Sequence, residues 1–181
     1  MENMEYKGIK FSIGVDTCCN ESPRDISDHF GTMVCNHNRY NLGDEQAENC
    51  EAYSSWANWF KHEIGKNVIA LPLYLYDHGG VTISTVPFSC SWDSGQVGYI
   101  YINKDKVRKE FNVKRISQKL KTQVLETLVD EVKDYDYYIR GEVYCYQIDN
   151  EDNDSCFGYY GEEEAIRGAK ETIDYLLNKG A

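Results

Sequence analysis

The apolar run Val68-Ile-Ala-Leu-Pro-Leu-Tyr-Leu-Tyr76, the turn Asp77-His-Gly-Gly80 and the run Val81-Thr-Ile-Ser-Thr85 constrain this chain most. Two strand-like runs joined by a Gly-bearing turn read as a β-hairpin. Pro72 has no amide hydrogen to give a neighbouring strand, so the pattern predicts an edge position or a bulge there. Further strands are expected wherever apolar and polar residues alternate. These are Ile9–Val15, Gln96–Ile102 and Glu142–Ile148, with a short one in Gly31–His37. Ser155–Tyr160 returns from the turn Asn150–Asp154. The polar stretch Asp16–Asp28, with Pro23 inside it, reads as a loop.

Helical spacing appears between these strands. A first helix is expected over Glu45–Ile64, with Tyr53, Trp56, Trp59 or Phe60, and Ile64 recurring and Gly65 as its stop. The Trp56, Trp59 and Phe60 cluster is expected to pack in the core. Asn103 or Asp105 caps a short helix through Phe111. Ser117 caps a long one, with Leu120, Val124, Leu128, Val132 and Tyr135 on one stripe, Leu125, Val129 and Ile139 widening it into a core-facing face, and Gly141 at its end. The last helix runs from about Glu162 to Asn178, with Gly180 beyond it. Its apolar face uses Ala165, Ile166, Ala169, Ile173, Leu176 and Leu177. The expected fold is α+β, an antiparallel sheet built of hairpins and packed by two to three helices, in a single domain spanning 1–181.

The seven cysteines are an odd number and form no CxxC pair, which argues against a disulfide framework. The N-terminal sequence has no basic segment followed by an apolar one, so no signal peptide is expected. No apolar run approaches the ~20 residues that span a membrane. A soluble protein with reduced thiols, in the cytoplasm of a bacterial host cell, follows as the expectation.

No P-loop, GxGxxG, HExxH or GxSxG motif occurs, and no cofactor, metal or catalytic residue is assigned. Cys18-Cys19, Cys35-Asn-His37 and His78 are conceivable metal ligands, but their spacing is looser than that of structural zinc sites. Asp149–Asp154 is rich in acids yet lacks the glycine and the bidentate glutamate of an EF-hand loop. A catalytic alternative is a small enzyme whose Asp77, His78, Cys90, Trp92 and Asp93 surround a pocket.

Charge is the more informative feature. The net charge is −11, yet eight basic residues between Lys104 and Lys121 face only Asp105 and Glu110. Ten acids between Glu126 and Asp154 then face only Lys133 and Arg140. The long helix therefore begins basic and ends acidic, against its own dipole. Such a surface can orient a charged partner. Lys104–Lys121 is a candidate nucleic-acid contact, although Phe111 is the one aromatic in it.

The block Leu71–Gly80 with Pro87–Tyr101 resembles a family of small acidic accessory proteins carried by phages and other mobile elements. Gly31–Cys35, Arg39–Asp44 and Asp154–Gly161 are similar to the same family. The resemblance covers most of the chain. Size and acidity within that family imply an anti-CRISPR protein that binds a Cas9-type nuclease with its guide RNA and blocks DNA binding or cleavage. Because such nucleases hold nucleic acid in basic channels, acids acting as a DNA mimic are the expected contacts. These are Asp130, Glu131, Asp134, Asp136, Glu151, Asp152 and Asp154, with Trp92 and Asp93 beside them. The basic stretch Lys104–Lys121 would touch nucleic acid indirectly, and no membrane is involved.

Overall fold

The computed structural model describes residues 1–18, 21–26 and 29–179. In chain order the elements begin with β1 (Glu2–Tyr6), β2 (Ile9–Val15), α1 (Pro23–Ile26), β3 (Thr32–Cys35) and β4 (Glu45–Gln46). Then come α2 (Trp56–Glu63), β5 (Val68–Asp77), β6 (Val81–Ser84), β7 (Ser94–Asn103), α3 (Lys104–Glu110) and α4 (Gln118–Ile139). The chain closes with β8 (Val143–Ile148), β9 (Ser155–Tyr160) and α5 (Glu162–Lys179). This is the expected α+β class. The strands, however, are shared between two sheets rather than one. Two compact units result: Met1–Pro23 with Tyr137–Ala181, and Arg24–Asp136.

The first unit holds the antiparallel sheet β1-β2-β8-β9. Phe11, Ile13, Tyr146 and Ile148 alternate onto one face and bury the α5 residues Ala165, Ala169 and Ile173. The four-residue spacing of those three puts them on one side of the helix. Leu177, expected on that face, is exposed instead. Gly168 is required here: a Cβ would stand 2.5 Å from the Tyr159 hydroxyl. The polar strand β1 carries little periodic signal. It forms because Lys7 and Gly8, both at positive φ, make the tight turn that folds it onto β2.

The second unit holds the sheet β4-β3-β7-β5-β6, antiparallel except for the short β3–β4 pair. Central β7 alternates from Gly98 to Ile102. Tyr99 and Tyr101 meet Trp56 and Phe60 of α2, beside the buried Trp59. Ile100 and Ile102 face the other way, and Ile100 and the α4 residue Leu128 both crowd Gly31. β3 and β7 approach so closely that a Cβ on Gly98 would lie 2.0 Å from the Val34 carbonyl oxygen.

Several boundaries depart from the sequence reading. The helix expected over Glu45–Ile64 begins only at Trp56, where the Ser55 side chain caps it. Before it, Glu45 and Gln46 pair with β3, and Asn49 is left-handed at φ 55°, which no continuing helix permits. The loop at Asp16–Asp28 contains the one-turn helix α1, while Cys19, Asn20, Ser27, Asp28 and Gly180 lie outside the described residues. Pro72 sits where β5 has β7 alone as a partner, one residue before a register shift at Leu73/Tyr74. The edge position that its missing donor favours is present, and the irregularity beyond it leaves Val97 of β7 unpaired. Asn103 caps α3 and Ser117 caps α4, as their side chains suggest.

Candidate functional site

In the second unit, three chain segments meet at one end of the sheet. The turn after β3 brings Asn36, His37 and Arg39; the end of β5 brings Asp77; the loop before β7 brings Trp92 and Asp93. They enclose a concavity of about 510 Å³, floored by Leu75 and Val97 and walled by Trp56, Glu51 and Cys50. The size is ordinary for a ligand pocket. His37 stacks on Tyr40 with ring centres 5.0 Å apart. The Arg39 guanidinium lies over that Tyr40 ring at 5.5 Å and ion-pairs with Asp77, which also accepts the Tyr40 hydroxyl at 3.2 Å.

The loop carrying Trp92 is tied down. The Asp77 amide donates to the Asp93 carbonyl at 2.8 Å, and the Ser94 hydroxyl to the Cys90 carbonyl at 2.5 Å. Phe88 packs on Tyr76 with ring centres 5.6 Å apart. Trp92 itself is 95% exposed. A large apolar ring left in water forgoes about 2 kcal/mol of burial. Here a fixed backbone holds it there.

The catalytic alternative is partly assembled. Asp77, Trp92 and Asp93 line the concavity, but His78 and Cys90 do not. Both instead reach the same Asp93 carboxylate oxygen, His78 Nδ1 at 3.3 Å and Cys90 Sγ at 3.5 Å. Both therefore converge on one carboxylate, and among the described residues no hydrogen bond joins the thiol to the imidazole. Burial, and then the nearby Asp44 carboxylate, push the Cys35 thiol up to about 12. It is therefore a protonated core side chain at neutral pH. Among the described residues, no cluster of three or more His, Cys, Asp or Glu side chains forms a metal site.

The seven acids proposed for partner contact have different surroundings. Asp130, Glu151 and Asp152 are exposed. Glu131 instead faces inward and accepts Arg24 Nη1 at 2.9 Å and the amides of Phe30 and Gly31 at 2.7 and 3.2 Å. Asp136 accepts the Thr82 hydroxyl at 2.5 Å and the Ile83 amide at 2.7 Å. Asp134 is half-buried. Asp154 closes its own turn, accepting from the Asn150 amide side chain at 2.8 Å. In the basic stretch, Phe111 is occupied edge-on by Phe30. Lys104, Arg108, Lys114, Arg115 and Lys121 share a second concavity of the same unit.

Sequence reasoning missed Arg24. Its side chain is 3% exposed and forks onto both oxygens of Asp44, at 2.8 and 2.5 Å, while donating to the Gly31 carbonyl at 2.7 Å. Burial opposes its charge, but the hydrogen bonds it donates to Asp44 and Glu131 outweigh that and raise its pKa. Nothing local in the loop Asp16–Asp28 signals this role, because both carboxylates come from elsewhere in the chain.

Comparison with protein families, curated proteins and solved structures finds no match to this chain. Among the described residues, no helix is long and apolar enough to cross a membrane.

Proposed function

We propose that this chain is a binding protein that docks on a basic protein surface, with Trp92 as its anchor. The observation that carries the reading is a tryptophan 95% exposed on a loop whose backbone is fixed on both sides. Tryptophan is among the residues that most often dominate interface energetics. A loop already held in one conformation loses little entropy on docking. The net charge of −11 gives the sign of the partner, since it speeds encounter with a basic surface. Of the acids expected to make contact, Asp130 is exposed in the same unit as Trp92.

The specific partner implied by the resemblance is a guide-loaded Cas9-type nuclease, blocked before DNA binding or cleavage. Purified protein is mixed with the guide-loaded nuclease at 50 mM and at 500 mM salt, and capture and DNA cleavage are read together. Capture at low salt, inhibition of cleavage and loss of both in Trp92→Ala support the proposal. No capture at low salt removes the nuclease as partner. Capture that Trp92→Ala leaves unchanged removes the anchor.

A further inference from the structure

The second concavity, of about 650 Å³, is lined by the consecutive residues Val68, Ile69, Ala70 and Leu71. Successive strand residues point to opposite faces of a sheet. A cavity touched by four in a row therefore runs along the strand's edge rather than over one face. That edge is open: β6 pairs with β5 only from Tyr74 onward, and β7 occupies the other side of Val68–Leu71. Among the described residues, no other backbone group hydrogen-bonds to this stretch.

The opposite wall is basic. Lys104 and Arg108 are four apart on α3, and Lys121 and Leu125 four apart on α4, so each pair shares a helix face. Lys114 and Arg115 come from the turn between the helices, and among the described residues no acid lines the cavity. Arg108 is paired with Asp105, and Lys104 donates to the Lys66 carbonyl. Among the described residues, Lys114, Arg115 and Lys121 make no ion pair. Such an assembly of cations is the reverse of the chain's overall charge.

An unpaired strand edge binds extended chains through their backbone. Cations facing that edge select acidic side chains on the incoming strand. We infer that this trough takes an extended acidic peptide segment, added as a strand beside Val68–Leu71, with its carboxylates on Lys114, Arg115 and Lys121. Pro72 lacks a donor and limits the added strand to about four or five residues, roughly 13–17 Å long. The apolar side chains of Ile116 and Leu125 take the alternate residues of the peptide. This surface is independent of the Trp92 anchor.

The test uses the full chain and a fluorescent ten-residue peptide of alternating glutamate and valine, titrated at 50 mM salt. Saturable binding is expected, weakened at least tenfold by Lys114→Glu with Arg115→Glu and at least tenfold by N-methylating alternate peptide amides. The alternate amide hydrogens of Val68–Leu71 that point away from β7 gain exchange protection in the complex. Trp92→Ala leaves this binding unchanged, which separates the two surfaces. Absence of saturable binding overturns the inference. Equal binding of the N-methylated peptide also overturns it, because charge alone is then at work. Tighter, competing binding of a ten-nucleotide thymidine strand overturns it in favour of a nucleic-acid site. Aggregation of the double variant without peptide binding by the parent assigns the cations to edge protection alone.

Discussion

At the scale of single residues, two side chains behave against their chemical type. Trp92 is apolar and wet, while Cys35 is a thiol that ionises only at high pH. Trp92→Ala should leave thermal stability within about 0.5 kcal/mol of the parent, as for other surface changes. It should cost about 2 kcal/mol or more in partner binding, a loss of about thirtyfold measurable by calorimetry. Cys35 titrates from an ordinary 9.0 to about 12 in the fold. Its folded pKa is raised, so the folded state binds the proton more tightly. That contribution is fully present below about pH 9 and is lost as pH rises toward 12. Urea midpoints should therefore fall between those limits, and fall less steeply in Cys35→Ala. Exposed Cys18 and Cys156 should react with a thiol reagent while Cys35 stays protected until unfolding. At Gly98 the nearest obstacle to a side chain is backbone, so Gly98→Ala should destabilise by about 3 kcal/mol in urea titration.

At the scale of elements, α4 shows why charge order in a sequence is an ambiguous signal. A helix ending in acids is unfavourable for its own dipole. The structure supplies the compensation. Glu131 collects Arg24 and two backbone amides, and Asp136 ties the helix to Thr82 and Ile83 of β6. Asp136 fastens the helix to β6 and Glu131 fastens it to α1 and the segment before β3, with partners 53 to 107 residues away. Arg24→Met leaves two carboxylates facing each other without their cation, so it should cost about 3–5 kcal/mol. Arg24→Lys should recover part of that, since it restores charge but not the two-pronged fork on Asp44. Both are read by chemical denaturation. The caps were legible because they are local: Asn103 and Ser117 lie within three residues of the amides they satisfy. The β3–β4 contact was not, because Glu45 and Gln46 have no strand pattern and pair only once β3 is beside them.

At the scale of the molecule, the net charge of −11 is distributed unevenly, with a basic trough along β5 in an otherwise acidic chain. Attraction between exposed charges is screened over about 10 Å at 0.1 M salt. The association rate with a basic partner should therefore fall several-fold between 50 and 500 mM salt in stopped-flow measurements, while dissociation from the Trp92 anchor changes little.

Element type and spacing follow from neighbours along the chain, so alternation in Gln96–Ile102 and the four-residue stripe of α4 were readable from sequence alone. So was the edge marked by Pro72, because a missing amide donor is a property of one residue. The division of strands into two sheets depended on which faces bury each other, and that is non-local. The same holds for the inward turn of Glu131 and Asp136 and for the Asp93 carboxylate shared by His78 and Cys90. Only packing decided which charges meet a partner within the chain and which remain in water.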